Sequence, residues 1–136
     1  MKKIKDIKIG DIYSFKRFVS EKDVQDFARF TGDLNPLHTN SEFAKKYKFK
    51  NIVVHGMLNA SFFSTLVGMY LPVKNCLYLS QNLKFHSVLY PNQEIKIVGE
   101  IVGKSEALKV LTIRTKIFNS KEKLILDGEA KVKILN

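Results

Sequence analysis

Residues that interrupt or cross-link a chain are scarce here: the 136 residues include 7 Gly, 3 Pro and a single Cys. With 45% hydrophobic and 26% charged residues and no low-complexity stretch, the composition is that of a folded protein and not of a disordered one. The length is close to the commonest size of one domain, so we expect a single domain over residues 1–136. A lone cysteine excludes an internal disulfide, and Cys76 is expected to pack as a small apolar residue and not to serve as a catalytic thiol.

Long uninterrupted apolar runs are also missing. The amino end, Met1 to Gly10, alternates Lys with Ile and lacks the apolar core of a signal peptide. The most apolar stretch, Gly56 to Val73, is broken by Asn, Ser, Thr and Gly, and therefore predicts a buried helix and not a membrane span. Together with the unpaired Cys76, these features predict a cytoplasmic location and no membrane partner.

Acidic residues are few, 13 against 23 basic residues, which gives a formal charge of +10. Such a surplus attracts anions: nucleic acid, acidic lipid headgroups or a phosphate-bearing metabolite. The lysines are scattered, with one local cluster at Lys45, Lys46, Lys48 and Lys50. No zinc-knuckle spacing, RNA-recognition motif or basic helix with interleaved aromatics accompanies them, so we expect no nucleic-acid partner. The charge fits a phosphorylated ligand and a well-solvated surface equally.

Two short helices are predicted after a first strand at Asp11 to Val19. Ser20 is a suitable N-cap for a helix that ends near Thr31, where Gly32 to Pro36 supplies turn-forming residues. A second short helix is predicted from about Ser41.

The stretch from Met57 to Leu71 is apolar nearly all round, which predicts a helix enclosed on most sides and ended by Pro72. Its polar members need hydrogen-bond partners if they are buried. They are Asn59, Ser61, Ser64 and Thr65.

Beyond this helix the apolar period changes to alternation, which is typical of antiparallel strands with one buried face. Four strands are predicted, with these residues facing the core: Leu77, Leu79, Gln81, Leu83 and Phe85; Ile95, Ile97 and Ile101; Leu111, Ile113, Thr115 and Ile117; and Leu124, Leu126, Gly128, Ala130, Val132 and Ile134. One antiparallel sheet wrapped around one long apolar helix is an α+β hot-dog fold. Because a single such sheet keeps an unpaired edge, we expect a homodimer or a larger assembly of dimers.

Candidate catalytic residues lie in the stretch Thr31 to His38 (TGDLNPLH). Asp33 and His38 are placed on one irregular loop, and the Asn35-Pro36 turn can bring both side chains to one cleft. A histidine that titrates near neutral pH beside a carboxylate suits general acid/base catalysis. A loop aspartate is, however, more often a turn former, and a loop histidine more often a surface residue.

A second candidate stretch, Val53 to Leu58 (VVHGML), leads into the apolar helix. A glycine at a helix start leaves backbone N–H groups free at the positive end of the dipole, which suits a carbonyl oxygen gaining negative charge. Gly56 could equally be a plain loop glycine, and His55 could cap or pack without reacting. Met57 is expected mainly in the core.

The two stretches together, F-x-x-x-T-G-D-x-N-P-L-H and V-H-G-M-L-x-x-S-x-x-S, resemble the MaoC-like (R)-specific enoyl-CoA hydratases. The resemblance continues through Leu77 to Phe85 and covers nearly the whole chain from Val24. One departure is Asn40, which stands where many relatives carry an acidic residue.

The resemblance implies that Asp33 and His38 hold and activate water and that the Gly56 N–H binds the thioester carbonyl. It implies that Ser64 supports the catalytic pair and that Asn35 shapes the loop, while Met57 could contact the acyl group. It implies syn hydration of trans-2-enoyl-CoA to (R)-3-hydroxyacyl-CoA in fatty acid metabolism, with no cofactor and no metal. The surplus lysines would then bind the CoA phosphates.

Other functions remain compatible with the sequence. A hot-dog acyl-CoA thioesterase would use its carboxylate for hydrolysis, although the paired Asp33 and His38 argue against it. A dehydratase acting on acyl-carrier protein would match the basic surface to an acidic partner. A non-catalytic binding module, either an acyl-CoA sensor or a nucleic-acid binder, would not need Asp33 and His38.

Overall fold

One antiparallel sheet and one apolar helix form most of the fold in the computed structural model, which describes residues 1–73 and 75–135. A 3-10 turn at Ile4–Asp6 precedes the first strand. The strands are β1 (Ile12–Val19), β2 (Cys76–Gln81), β3 (Lys84–Phe85), β4 (Gln93–Ser105), β5 (Val110–Phe118) and β6 (Leu124–Ile134). The helices are α1 (Glu21–Thr31), α2 (Pro36–Thr39), α3 (Ser41–Lys46) and α4 (Gly56–Thr65), which continues as a π-helical turn at Leu66–Tyr70.

The strand order is β1-β4-β5-β6-β2, with β3 also paired to β6, and every pairing is antiparallel. Alternation explains the inner face of β4 and β5, where the predicted core residues are all buried. These are Ile95, Ile97, Ile101, Leu111, Ile113, Thr115 and Ile117. The predicted inward face of β6 is likewise buried at Leu126, Ala130, Val132 and Ile134. The α+β architecture predicted from the sequence is therefore confirmed.

Helix α4 packs against the sheet through large apolar side chains. Phe62, Phe63 and Leu66 are buried together with the first halves of β4 and β6, and Val67 joins a second cluster towards the other end of the sheet. The predicted helix over Met57–Leu71 is present, but its last part has π-helical bonding, and Leu71 is already extended before Pro72. No helix within the described residues has the length and hydropathy needed to cross a bilayer.

The prediction of one long strand from Leu77 to Phe85 is wrong. A register shift between Tyr78 and Ser80 and a break at Asn82 divide it into β2 and β3. At the break the Asn82 N–H donates to Glu129 O (3.1 Å), and the Asn82 side-chain oxygen accepts from the Glu129 N–H (2.9 Å). In β2 the alternate residues Cys76 and Tyr78 pack against the core, so Leu77 and Leu79 are 52% and 50% exposed instead of facing it.

The amino-terminal helix begins and ends as its sequence predicts. Ser20 Oγ accepts from the Asp23 N–H (3.1 Å) while the Ser20 N–H donates to the Asp23 carboxylate (2.9 Å), which completes a capping box. Gly32 ends α1 with φ +80°, a conformation that favours glycine. The sequence predicts an irregular loop after Gly32. The structure differs, because Asn35 caps a single helical turn there, α2, which carries His38.

Candidate active site

The structure brings together three side chains from the two candidate stretches. Asp33 follows the end of α1, His38 lies on α2, and His55 directly precedes α4. One ligand-type atom from each of the three lies within 4.8 Å of the others. The turn at Asn35-Pro36 thus places the carboxylate and the imidazole at one point, as the sequence predicts.

Asp33 is held by its own turn. Its N–H donates to Thr31 Oγ1 (3.2 Å), and its Oδ1 accepts from the Asn35 N–H (3.2 Å). The side chain remains about half exposed, and Oδ2 lies 4.0 Å from His55 Nε2. The carboxylate is therefore oriented by backbone contacts and keeps an oxygen free for a ligand or water.

His38 is oriented by the chain that leads into α4. Its Nδ1 lies 2.6 Å from Val53 O. A carbonyl oxygen can only accept, so this contact assigns the proton of the neutral ring to Nδ1 and leaves Nε2 as the acceptor. A fixed tautomer with one free nitrogen is what a general base requires.

His55 lies beneath His38 and is 1% exposed. The two rings stack at a centroid distance of 3.9 Å and an interplanar angle of 25°, and Phe27 meets the His55 ring edge-on at 4.9 Å. His55 Nε2 donates to Asp33 O (3.1 Å), whereas Nδ1 is buried and has no hydrogen-bond partner in the part of the chain that the structure describes. Burial lowers the pKa of His55, so the ring is neutral and adds no positive charge beneath His38.

The same three residues could be considered as metal ligands, and their orientation tests that idea. An imidazole binds a metal along the lone pair in its ring plane, at about 2.0–2.1 Å for zinc. The two stacked rings hold these lone pairs in nearly parallel planes, with the ring centroids 3.9 Å apart, so the lone pairs do not converge on one metal position. The donor set fits proton transfer better than metal binding.

Free backbone donors lie at the start of α4. Among the described residues, the N–H groups of Gly56, Met57 and Leu58 have no hydrogen-bond partner, as expected for the first turn of a helix. An added Cβ at Gly56 would lie 2.6 Å from the Phe85 ring, so only glycine lets this ring approach so closely. The helix start is therefore an electropositive site that a carbonyl oxygen could reach.

A cleft of about 340 Å³ connects the helix start with His38. Its walls are mainly apolar and come from the chain before α4, from α4 itself, from the segment after β3 and from β6. The lining residues are His38, Val53, Val54, Gly56, Asn59, Phe85, His86, Ser87, Val88, Leu89 and Ile125. A cleft of this kind, with few polar groups, is typical of a site for a largely apolar ligand.

Three residues predicted for the site lie away from this cleft. Ser64 is exposed on α4, and Met57 is 58% exposed instead of lying in the core. Asn35 accepts the Leu37 N–H (3.0 Å) and so caps α2. The structure thus brings Asp33 close to His38 and places His38 and Gly56 in one cleft, whereas Ser64 and Met57 are exposed on α4.

Sequence reasoning missed three features of the site. The stacking of His55 on His38 depends on tertiary packing and has no local signal. The His86–Asp127 contact (2.8 Å) beside the cleft joins residues 41 positions apart. Asn59 had a signal, a polar residue in an apolar helix, and it proves to be buried in the cleft wall.

Comparison with known proteins identifies the class. The family model of the MaoC like domain matches residues 6–121. An (R)-specific enoyl-CoA hydratase from Aeromonas caviae is 39% identical over 119 residues, which are 88% of each chain. A mitochondrial 3-hydroxyacyl-[acyl-carrier-protein] dehydratase from Arabidopsis thaliana is 35% identical, over 91% of this chain and 75% of that protein.

The solved structures agree with this assignment. The (R)-hydratase from A. caviae involved in PHA biosynthesis superposes with a TM-score of 0.90 at 34% identity, over 96% of this chain and 98% of the other. The chain therefore belongs to the MaoC-like family and has its hot-dog fold.

Proposed function

We propose that this protein is an (R)-specific enoyl-CoA hydratase, which adds water reversibly to trans-2-enoyl-CoA to give (R)-3-hydroxyacyl-CoA. The observation that carries the proposal is the approach of Asp33 and His38 to within 4.8 Å, where His38 also lines the cleft that includes Gly56 at the start of α4. The (R)-specific enoyl-CoA hydratase from Aeromonas caviae, 39% identical, supports the choice of reaction.

In the first part of the reaction, the Gly56 N–H binds the thioester oxygen. Addition of water to C3 of the enoyl group moves the double-bond electrons towards C2 and the carbonyl oxygen. Backbone donors and the helix dipole stabilise the negative charge that develops there. Polarisation of the carbonyl also makes C3 the electrophilic carbon.

The proton transfers fall to Asp33 and His38. A water molecule held between the Asp33 carboxylate and His38 Nε2 loses one proton to this pair as its oxygen bonds to C3. The pair then returns a proton to C2, so that one water is consumed and nothing else changes. Because one pair of groups holds the water and returns the proton, the hydroxyl and the proton are added to the same face of the double bond, so addition is syn.

For the carrier, we propose coenzyme A bound through lysine contacts to its phosphates. All four lysines of the cluster are exposed. Lys45 and Lys46 end α3, the helix that follows His38 in the chain, and Lys48 and Lys50 come directly after it. Added salt is then expected to raise KM for crotonyl-CoA, because screening weakens exposed charge contacts. A KM independent of salt would indicate binding by the pantetheine arm and acyl chain alone.

For the assembly, we propose at least a homodimer. Strand β2 is an edge strand with exposed Leu77 and Leu79, and Met57 and Met69 are exposed on the adjacent helical segment. A second copy would cover these apolar side chains and pair the strand edge. A cytoplasmic location completes the proposal, since the one free thiol, Cys76, is stable in a reducing compartment.

A second candidate is a dehydratase that acts on acyl-carrier protein. It is favoured by the similarity to the plant dehydratases and by the +10 charge, which would attract an acidic carrier. The reaction is the same in the reverse direction, so the two candidates differ in carrier and not in chemistry.

One assay separates the candidates. The protein is supplied with crotonyl-CoA and with the same acyl group on acyl-carrier protein, loss of the conjugated double bond is followed, and product chirality is determined. We expect faster hydration of the CoA ester and an (R)-product. Release of free thiol without hydration would replace the proposal with a thioesterase.

A further inference from the structure

Asn59 carries a buried amide oxygen without a partner among the described residues. The residue is 3% exposed, and its Oδ1 makes no hydrogen bond to any residue that the structure describes. The other polar residues predicted to need partners are placed differently: Ser61 donates to Leu58 O (2.6 Å), while Ser64 is exposed and Thr65 half-buried. Because an unpaired buried amide oxygen is costly, a partner is expected.

The position of Asn59 shows where such a partner would lie. Asn59 lines the same cleft as His38 and Gly56, where most of the other lining residues are apolar, such as Leu89 and Ile125. Residues three apart lie on one side of a helix, about 4.5 Å apart along the axis, and side chains lean towards the helix amino end. The amide of Asn59 therefore lies on the same side of α4 as Gly56, within one turn of its backbone N–H group.

We propose that Asn59 is a specificity-determining residue that hydrogen-bonds to an amide or hydroxyl group of the bound acyl thioester. This inference rests on the proposed function for the class of ligand. The partner is either an amide of the pantetheine arm or an oxygen on the acyl chain. Both present the same chemistry to a carboxamide, which can donate and accept.

A purely aliphatic ligand at this point would leave the amide unpaired. A site built to hydrogen-bond one group discriminates strongly against a ligand that lacks it, whereas an apolar wall discriminates weakly. Asn59 thus adds a point of polar selection to a cleft whose walls are mainly apolar.

The test measures binding and not turnover, by calorimetry with two saturated ligands, butyryl-CoA and 4-hydroxybutyryl-CoA. The variants are Asn59→Leu, of similar shape, and Asn59→Ala, which cannot obstruct the cleft. If the partner is a pantetheine amide, both variants are expected to raise Kd about tenfold for both ligands. If it is an acyl oxygen, wild type prefers the hydroxylated ligand about tenfold and both variants lose that preference.

Other outcomes overturn the inference. Unchanged Kd values and preference in both variants would do so, as would an effect of Asn59→Leu that Asn59→Ala does not share, since that would be steric. Asn59→Leu is also expected to raise Tm, because it replaces an unpaired amide by an apolar side chain. A lower Tm would mean that the amide has a partner within the protein.

Binding and catalysis can fail separately. Wild type that binds both ligands with the Asn59-dependent pattern, yet does not hydrate crotonyl-CoA, would contradict the proposed reaction and leave the role of Asn59 standing. Hydration of crotonyl-CoA with no Asn59-dependent pattern of binding would contradict the role of Asn59 and leave the proposed reaction standing. Wild type that binds neither ligand would overturn both.

Discussion

At the residue scale, the catalytic proposal rests on a carboxylate whose orientation comes from backbone contacts. Asp33→Asn keeps the side-chain shape and removes the base, so kcat is expected to fall by roughly 10²–10⁴. KM is expected to change less, because Asp33 is not proposed to bind CoA. Steady-state hydration of crotonyl-CoA measures both constants, and Asp26→Asn, at an exposed carboxylate of α1, is the matched control.

His38 allows a second test of the proposal that Asp33 and His38 act together on one water. His38→Ala is expected to cost a factor similar to that of Asp33→Asn, and the double variant should be little worse than either single variant. Groups that act together on one water are strongly non-additive. Near-normal hydration by folded Asp33→Asn would show that the carboxylate is not the base.

His55 gives a prediction about pH and stability. Burial lowers the pKa of His55, so the unfolded chain takes up a proton near the ordinary value of 6.5 that the folded chain resists. The free energy of unfolding is therefore expected to fall as the pH drops from 7 towards 5. His55→Phe, which preserves a ring against His38 and Phe27, is expected to show a shallower fall in denaturant titrations. Parallel pH curves for the two proteins would mean that His55 does not contribute.

At the scale of elements, the break between β2 and β3 depends on Gly128. An added Cβ at Gly128 would lie 1.9 Å from the Asn82 carbonyl oxygen, and backbone cannot move aside as a side chain can. Gly128→Ala is expected to lower the free energy of unfolding by about 1–3 kcal/mol, the usual cost of overpacking. Gly68→Ala is the control, because a Cβ there meets nothing within 4 Å and alanine is the better helix former.

The same break shows where sequence reasoning ends. Alternation identified β4, β5 and most of β6 because each has one buried and one more exposed face, although Ile125 of β6 is buried beside Leu126. Ser20 identified the start of α1 through local capping. The leucines of β2 alternate equally well, yet Leu77 and Leu79 lie on the exposed side. The pattern shows which residues share a face, but the register with β6, in which Tyr78 lies opposite the buried Val132, decides where that face points.

The candidate site likewise combines features that are local in sequence with features that depend on tertiary packing. Asp33, His38 and Gly56 were predictable because turn chemistry and a helix start are local features. The stack of His38 on His55 and the unpaired amide of Asn59 arise from packing between elements far apart in sequence. Ser64, placed by resemblance alone, is exposed on α4 and lies outside the cleft lining.

At the scale of the whole molecule, the exposed apolar residues of β2 lead to a prediction about assembly. Leu77 lies opposite Lys133 of β6, so Leu77→Glu can form a cross-strand ion pair within one chain and is not expected to harm folding. At a subunit interface, however, the glutamate and Lys133 would both be buried, and the desolvation penalty of a buried ion pair can exceed its Coulombic gain. We expect wild type to be at least dimeric by light scattering at micromolar concentration and Leu77→Glu to shift towards monomer, while Leu108→Glu, at a position that is also exposed in the β4–β5 turn, leaves the assembly unchanged. A wild-type protein that is strictly monomeric and fully active under the same conditions would contradict the proposed dimer.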